Sequence, residues 1–140
     1  MKLEVANQMT MQQLCDYAIQ KMVEQGERCG VAGSPETITG AFNCAYGIGE
    51  KHCGIGWMLD PTNKRVMDYL GDVESLNYIL PEIVPRAIKD NLEFAKEFQT
   101  LHDEPRQSVR TEILSTLHYD YKLDISNPAY QQWVGMGDEE

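Results

Sequence analysis

Apolar residues recur at helical spacing early in the chain. Met11, Leu14, Cys15, Ala18 and Met22 fall on one face of a 3.6-residue period. Thr10 precedes them and Gln13 follows three residues later, a pairing in which hydroxyl and amide side chains close the first turn reciprocally. Gly26 stands where a left-handed residue ends a helix, so a helix is predicted between Thr10 and Gly26. A second stripe, Ile88, Leu92, Ala95, Phe98 and Leu101, predicts one helix from Pro85 to about residue 103. Pro105 opens another, lined by Val109, Ile113, Leu114 and Leu117. The connection is short enough to make the two an antiparallel αα-hairpin. A shorter helix, capped by Ser75, is predicted to reach Leu80, with Pro81 or Pro85 in the first turn of the next.

The period switches to two in two places. Phe42, Cys44 and Tyr46 alternate as in a short strand, Gly47-Ile48-Gly49 supplies a turn, and a β-hairpin returning through His52 is predicted. Tyr119, Tyr121, Leu123 and Ile125 alternate with His118, Asp120, Lys122 and Asp124, which suits a strand or an extended arm. Asn127-Pro128 breaks that segment, and Tyr130 and Trp133 then fold back onto the body. Gly26 to Gly40 is rich in turn residues and reads as a loop. The expected class is α+β: a mostly helical single domain over residues 1–134 with a small β-hairpin and an αα-hairpin. Residues 135–140 are expected to form a frayed acidic tail.

Composition narrows the setting. A chain of 140 residues, 42% hydrophobic and 24% charged, is long enough for one globular core. Its net charge of −10 disfavours direct nucleic-acid binding and favours a partner with a basic surface. No apolar run approaches the ~20 residues a bilayer demands. Residues 1–8 lack the apolar core of a secretory signal, so a cytoplasmic protein without membrane attachment is expected. In that reducing setting Cys15, Cys29, Cys44 and Cys53 are expected as free thiols.

Cys44-Ala45-Tyr46, followed by Cys53-Gly54-Ile55-Gly56-Trp57-Met58-Leu59 and later by Phe98-Gln99-Thr100-Leu101-His102-Asp103, carries a likeness. It resembles a family of small bacterial and phage proteins with a Cys-Ala-Tyr element, a Gly-rich turn, Lys-x-Cys-Ala-x-Gly-x-Leu-Ile and a later Leu-x-x-x-His-Asp. The likeness spans residues 12 to 117. Gly54 stands where that family has Ala, and Leu70-Gly71 where Glu-Gly is common. The resemblance implies a bacterial or phage accessory protein and brings no catalytic assignment with it.

Four kinds of chemistry are conceivable from the residues. Cys53, at a Gly-rich turn, has the position of a thiol nucleophile, with His102 and Asp103 as distant base and orienter. His52 is adjacent in sequence and, on a strand, would point to the opposite face. Cys44, His52 and Cys53, with Cys29 or His102 as a fourth, are zinc-type ligands, yet no Cys-x-x-Cys knuckle is present, and Cys44 and Cys53 read better as packed thiols facing across the hairpin. Gly47, Gly49, Gly54 and Gly56, with Lys51 and His52 between them, could grip an anionic group such as a nucleotide, although no phosphate-loop pattern is matched. Asp90, Glu93, Glu97 and Glu104 recur at helical spacing, and Tyr119, Tyr121 and Trp133 form an aromatic arm. The leading expectation is a non-catalytic interaction protein with no metal or cofactor. It would bind and inhibit a bacterial host or defence protein through that acidic row and arm. The glycine-turn ligand site and a Cys53 thiol enzyme are the alternatives.

Overall fold

The Thr10–Gln13 pair does close the first turn of the longest helix. Gln13 N donates to Thr10 Oγ1 at 3.1 Å, and Thr10 N donates to Gln13 Oε1 at 3.0 Å. Gly26 ends it at φ +84°. The computed structural model describes residues 1–31, 43–44 and 46–139. Among these, the helices are α1 (Leu3–Ala6), α2 (Met11–Gln25), α3 (Lys64–Met67), α4 (Val73–Ile79), α5 (Arg86–Lys89), α6 (Leu92–Asp103), α7 (Gln107–Asp120) and α8 (Pro128–Gly135). Two single 3-10 turns, Gly56–Met58 and Pro81–Ile83, complete the helical elements.

The core is one continuous cluster. α2 packs along α8, α6 along α7, and α4 against α6, while the Gly56–Met58 turn lies on α2. α6 and α7 form an αα-hairpin across the link Glu104–Arg106. The Phe94 ring at the start of α6 meets Tyr121 at the end of α7 with 5.2 Å between centroids, so the helices run antiparallel. α8 is started by Asn127, whose Oδ1 accepts from Ala129 N, with Pro128 in its first turn. It buries Tyr130 and Trp133. Tyr130 Oη donates to Asp16 Oδ1 at 2.6 Å, fixing α8 to α2.

The α+β expectation fails. The described residues are 60% helix and 4% strand. The strand pairing described is one antiparallel contact of two residues each, β1 (Gly30–Val31) with β2 (Asn43–Cys44). Phe42, Ala45 and the side chain of Cys44 lie outside the described residues, and with them part of the predicted strand and the thiol pairing across it. The Gly-rich turn is real but leads to no hairpin. Ile48 and Lys51 exchange both backbone bonds around Gly49 at φ +62°, and the ladder stops there. Beyond it, the backbone of His52 bonds to a side chain. His52 N donates to Gln25 Oε1 at 2.8 Å, and Gln25 Nε2 donates to His52 O at 3.0 Å.

The second predicted strand fails in the same way. α7 continues through Asp120, and Lys122 turns the chain at φ +62°. His118 Nδ1 donates to Leu123 O at 2.8 Å, and Leu123 alone of the alternating set is fully buried. Past that point, Asp124 N donates to Gln12 Oε1 and Gln12 Nε2 to Asp124 O, both at 2.8 Å. A glutamine near each end of α2 thus supplies the donor–acceptor pair that a neighbouring strand would offer.

Two further boundaries differ. The helix predicted from Pro85 is broken at Asn91 (φ −140°, ψ 48°), whose side-chain amide donates to Ala87 O at 2.8 Å and finishes α5. α4 begins at Val73, capped by Asp72 through Ser75 N at 2.8 Å, rather than at Ser75. Asp138 N donates to Pro105 O at 2.6 Å and Gln107 N to Asp138 O at 3.0 Å, pinning that residue onto the α6–α7 link. No helix among the described residues is long and apolar enough to cross a membrane.

Candidate functional site

The segment from Tyr46 to Leu59 packs inward. Tyr46, Cys53, Ile55 and Met58 have no exposed surface. A side chain at Gly54 would meet Met22 Sδ at 3.1 Å and Phe98 at 3.2 Å, so the glycine lets this turn lie directly on α2 and α6. The amide of Gly47 donates to Met67 O at 3.2 Å, and that of Gly56 donates to Cys53 Sγ at 3.2 Å. His52 is buried, and its Nδ1 donates to Tyr46 O at 2.8 Å. Lys51 is paired with Glu27, which raises its pKa through the hydrogen bond first and the charge second. Five of the six residues of the proposed glycine-turn ligand site are therefore engaged in backbone, packing or ion-pair contacts, and Gly49 stands at the solvent-exposed tip.

The thiol constellation is divided. His102 Nδ1 lies 3.0 Å from Asp103 Oδ1, and since a carboxylate only accepts, Nδ1 carries the proton. Nε2 is buried without a hydrogen-bond partner, and complete burial lowers the imidazole's pKa against the opposing pull of Asp103. Base and orienter are thus together, but no hydrogen bond joins Cys53 to His102, and the sulfur instead accepts from Gly56 N. Cys29 is also buried, and its pKa is pushed up to about 11 by burial and then by the neighbouring Cys53. Among the described residues no three His, Cys, Asp or Glu side chains gather as a metal site.

The expected acidic row is dispersed. Asp90 ends α5 and Glu104 ends α6 in extended backbone, leaving Glu93 and Glu97 on α6 itself. Glu104 is occupied by Arg106 at 2.7 Å, which lowers its pKa. Glu97 is half-buried, and desolvation followed by the charge of Asp120 raises its pKa. The aromatic arm also divides. Tyr119 is 69% exposed beside an open groove of about 400 Å³ with His118 and Lys122, Tyr121 packs on Phe94, and Trp133 is in the core.

Trp133 organises the polar end of the molecule. Its Nε1 donates to Leu101 O at 2.9 Å, and its ring stacks on His102 at 5.5 Å with planes 6° apart. The Arg110 guanidinium lies 4.2 Å from the same ring's centre. Arg110 is 4% exposed, and its Nε and Nη1 each donate at 2.6 Å, to Glu104 O and Trp133 O respectively. Arg110 and Trp133 wall a cleft of about 180 Å³ that Gly26, Glu27, Arg28, Pro105, Met136 and Asp138 also line.

A different surface shows what sequence reading missed. On α4, Val73 and Leu76 face the core, and this rotation leaves Tyr78 88% and Ile79 55% exposed. The helical period places Leu76 and Leu80 inward and Tyr78 and Ile79 outward, a signal already present in Leu76-Asn77-Tyr78-Ile79-Leu80. Residues 66–85 hold four acids (Asp68, Asp72, Glu74 and Glu82) and no Lys, Arg or His. No family model, curated protein or solved structure matches the chain.

Proposed function

We propose that this chain is a non-catalytic interaction protein that docks on a basic protein surface through the outer face of α4. The carrying observation is the adjacent exposed pair Tyr78 and Ile79, set in a stretch whose charges are all acidic. Large apolar side chains gain most when buried at the centre of an interface, and the surrounding charge sets partner choice and on-rate. Glu74, Ser75 and Glu82 are exposed along the same element or the turn after it. Glu74 holds Lys96 in an exposed pair at 3.2 Å, a contact weak enough for a partner's cation to replace. The bacterial or phage accessory setting, with inhibition of a host or defence protein as the outcome, comes from the resemblance in the Cys44–Leu59 and Phe98–Asp103 motifs.

The test is capture from bacterial lysate by wild type and by the double variant Tyr78→Ala/Ile79→Ser, at low and moderate salt. A partner is expected that weakens with salt and is lost in the double variant, while circular dichroism and unfolding midpoint stay unchanged. Recovery of no partner, or equal recovery by the variant, rejects the proposal.

A further inference from the structure

The cleft between the end of α2, the α6–α7 link and the end of α8 has an unusual charge arrangement. Burying a guanidinium normally requires a carboxylate partner, because its desolvation is costly. Arg110 is buried, yet its hydrogen bonds run to two backbone carbonyls, and among the described residues no carboxylate stands within ion-pair distance. The acids nearby are engaged elsewhere: Glu27 with Lys51, Asp103 with His102, and Glu104 with Arg106. Asp138 is the remaining carboxylate at the cleft, and it acts on Arg110 through space without forming an ion pair. A second cation, Arg28, enters the same cleft and donates from Nη1 to Asp103 O at 2.9 Å. Burial, followed by the charge of Arg28, brings the pKa of Arg110 down to about 10, so it remains a cation at neutral pH.

We propose that this cleft is a binding site for one phosphate-sized oxyanion, held between Arg28 and Arg110 against the edge of Trp133. The planar guanidinium fork suits a phosphate or carboxylate oxygen pair, and carbonyl bonds at Nε and Nη1 fix its orientation in advance. The volume of about 180 Å³ admits such a group and is well below the ~300 Å³ or more typical of sites for drug-sized ligands. Asp138 is the internal competitor that an anion must overcome. This site is independent of the α4 surface and of the glycine turns.

Titration calorimetry with inorganic phosphate and with methyl phosphate, at ionic strength held constant by chloride, tests the proposal. Saturable 1:1 binding is expected. Binding of phosphate alone identifies a free ion as the ligand, and binding of methyl phosphate as well identifies an esterified group. Arg28→Gln, at a half-buried position, should weaken binding about tenfold, and Asp138→Asn should tighten it several-fold, because opposite charges at one site act in opposite directions. Saturation by neither anion overturns the proposal, as does binding that both substitutions leave unchanged in folded protein.

Discussion

Gly56→Ala separates a packing glycine from a ligand-cradling one. A Cβ at position 56 would stand 3.0 Å from the carbonyl carbon of Tyr46 and 3.1 Å from its Cα, and closer still to its oxygen. Backbone cannot rotate aside as a side chain does, so Tyr46 must shift. Its carbonyl also accepts from His52 Nδ1 at 2.8 Å, a buried bond that the shift would lengthen or break. Overpacking of this kind costs about 1–3 kcal/mol. Leaving a buried polar group unpaired costs about 1–3 kcal/mol more. The stiffer unfolded chain of an alanine variant returns about 0.4–1 kcal/mol. The net expectation is a loss of about 3 kcal/mol, or roughly 10 °C in Tm at ~3–4 °C per kcal/mol for a chain of this length. Urea unfolding followed by far-UV circular dichroism reads it as a midpoint shift of about 1.5 M at a slope near 2 kcal/mol/M. Gly135→Ala is the control: a Cβ there meets nothing within 4 Å, and alanine in a helix is neutral to about 1 kcal/mol stabilising. If Gly56→Ala unfolds at the same urea concentration as that control, the close approach to Tyr46 is not what this glycine serves.

Two other outcomes follow from buried polar groups. Burial holds the His102 imidazole below its ordinary pKa, against Asp103 and with Arg110 and Arg28 also opposing its charge. Its neutral form is therefore favoured on folding. That stability is full above the unfolded value near 6.5 and is lost as pH falls below it, at no more than about 1.4 kcal/mol per pH unit. Unfolding midpoints measured from pH 7.5 to 5.5 should fall in wild type and lose that slope in His102→Gln; an equal slope in both refutes the assignment. Tyr130→Phe removes the 2.6 Å bond from α8 to Asp16, and a loss of about 1–2 kcal/mol in chemical denaturation is expected, an unchanged midpoint being the contrary result.

The helices whose signals were local were legible in the chain. Thr10, Gln13 and Gly26 specify α2 by bonds that close within a turn, and the Phe98–Leu101 and Ile113–Leu117 stripes specify the antiparallel pair. In each of the two segments read as strands a backbone group is paired to a side-chain amide, His52 with Gln25 and Asp124 with Gln12, the latter 112 positions away along the chain. Alternation of residue types fixes neither the conformation nor what satisfies the backbone: Tyr119 lies within α7, and side-chain amides serve His52 and Asp124. The break at Asn91 was hidden because Ile88 and Leu92 keep helical spacing across it. The Arg110 cleft was invisible for a related reason: Arg28, Arg110 and Trp133 come from three distant elements, and none carries a local pattern.

The placement of α2 against α8 also bears on how the chain is made. As the ribosome releases it from the amino end, α2 is complete early, yet the part of its apolar face that meets α8, Tyr130's acceptor Asp16 and the Gln12 clasp all await residues beyond 120. Until then the side of α2 that faces α8 has no permanent cover, and at ~5–20 residues per second that interval lasts several seconds. Sealing the core is consequently a late, long-range event, slower than the local αα-hairpin that precedes it. A nascent chain stalled before Pro128 would display the same greasy stripe that the finished molecule conceals, which makes it a natural client for chaperones and proteases.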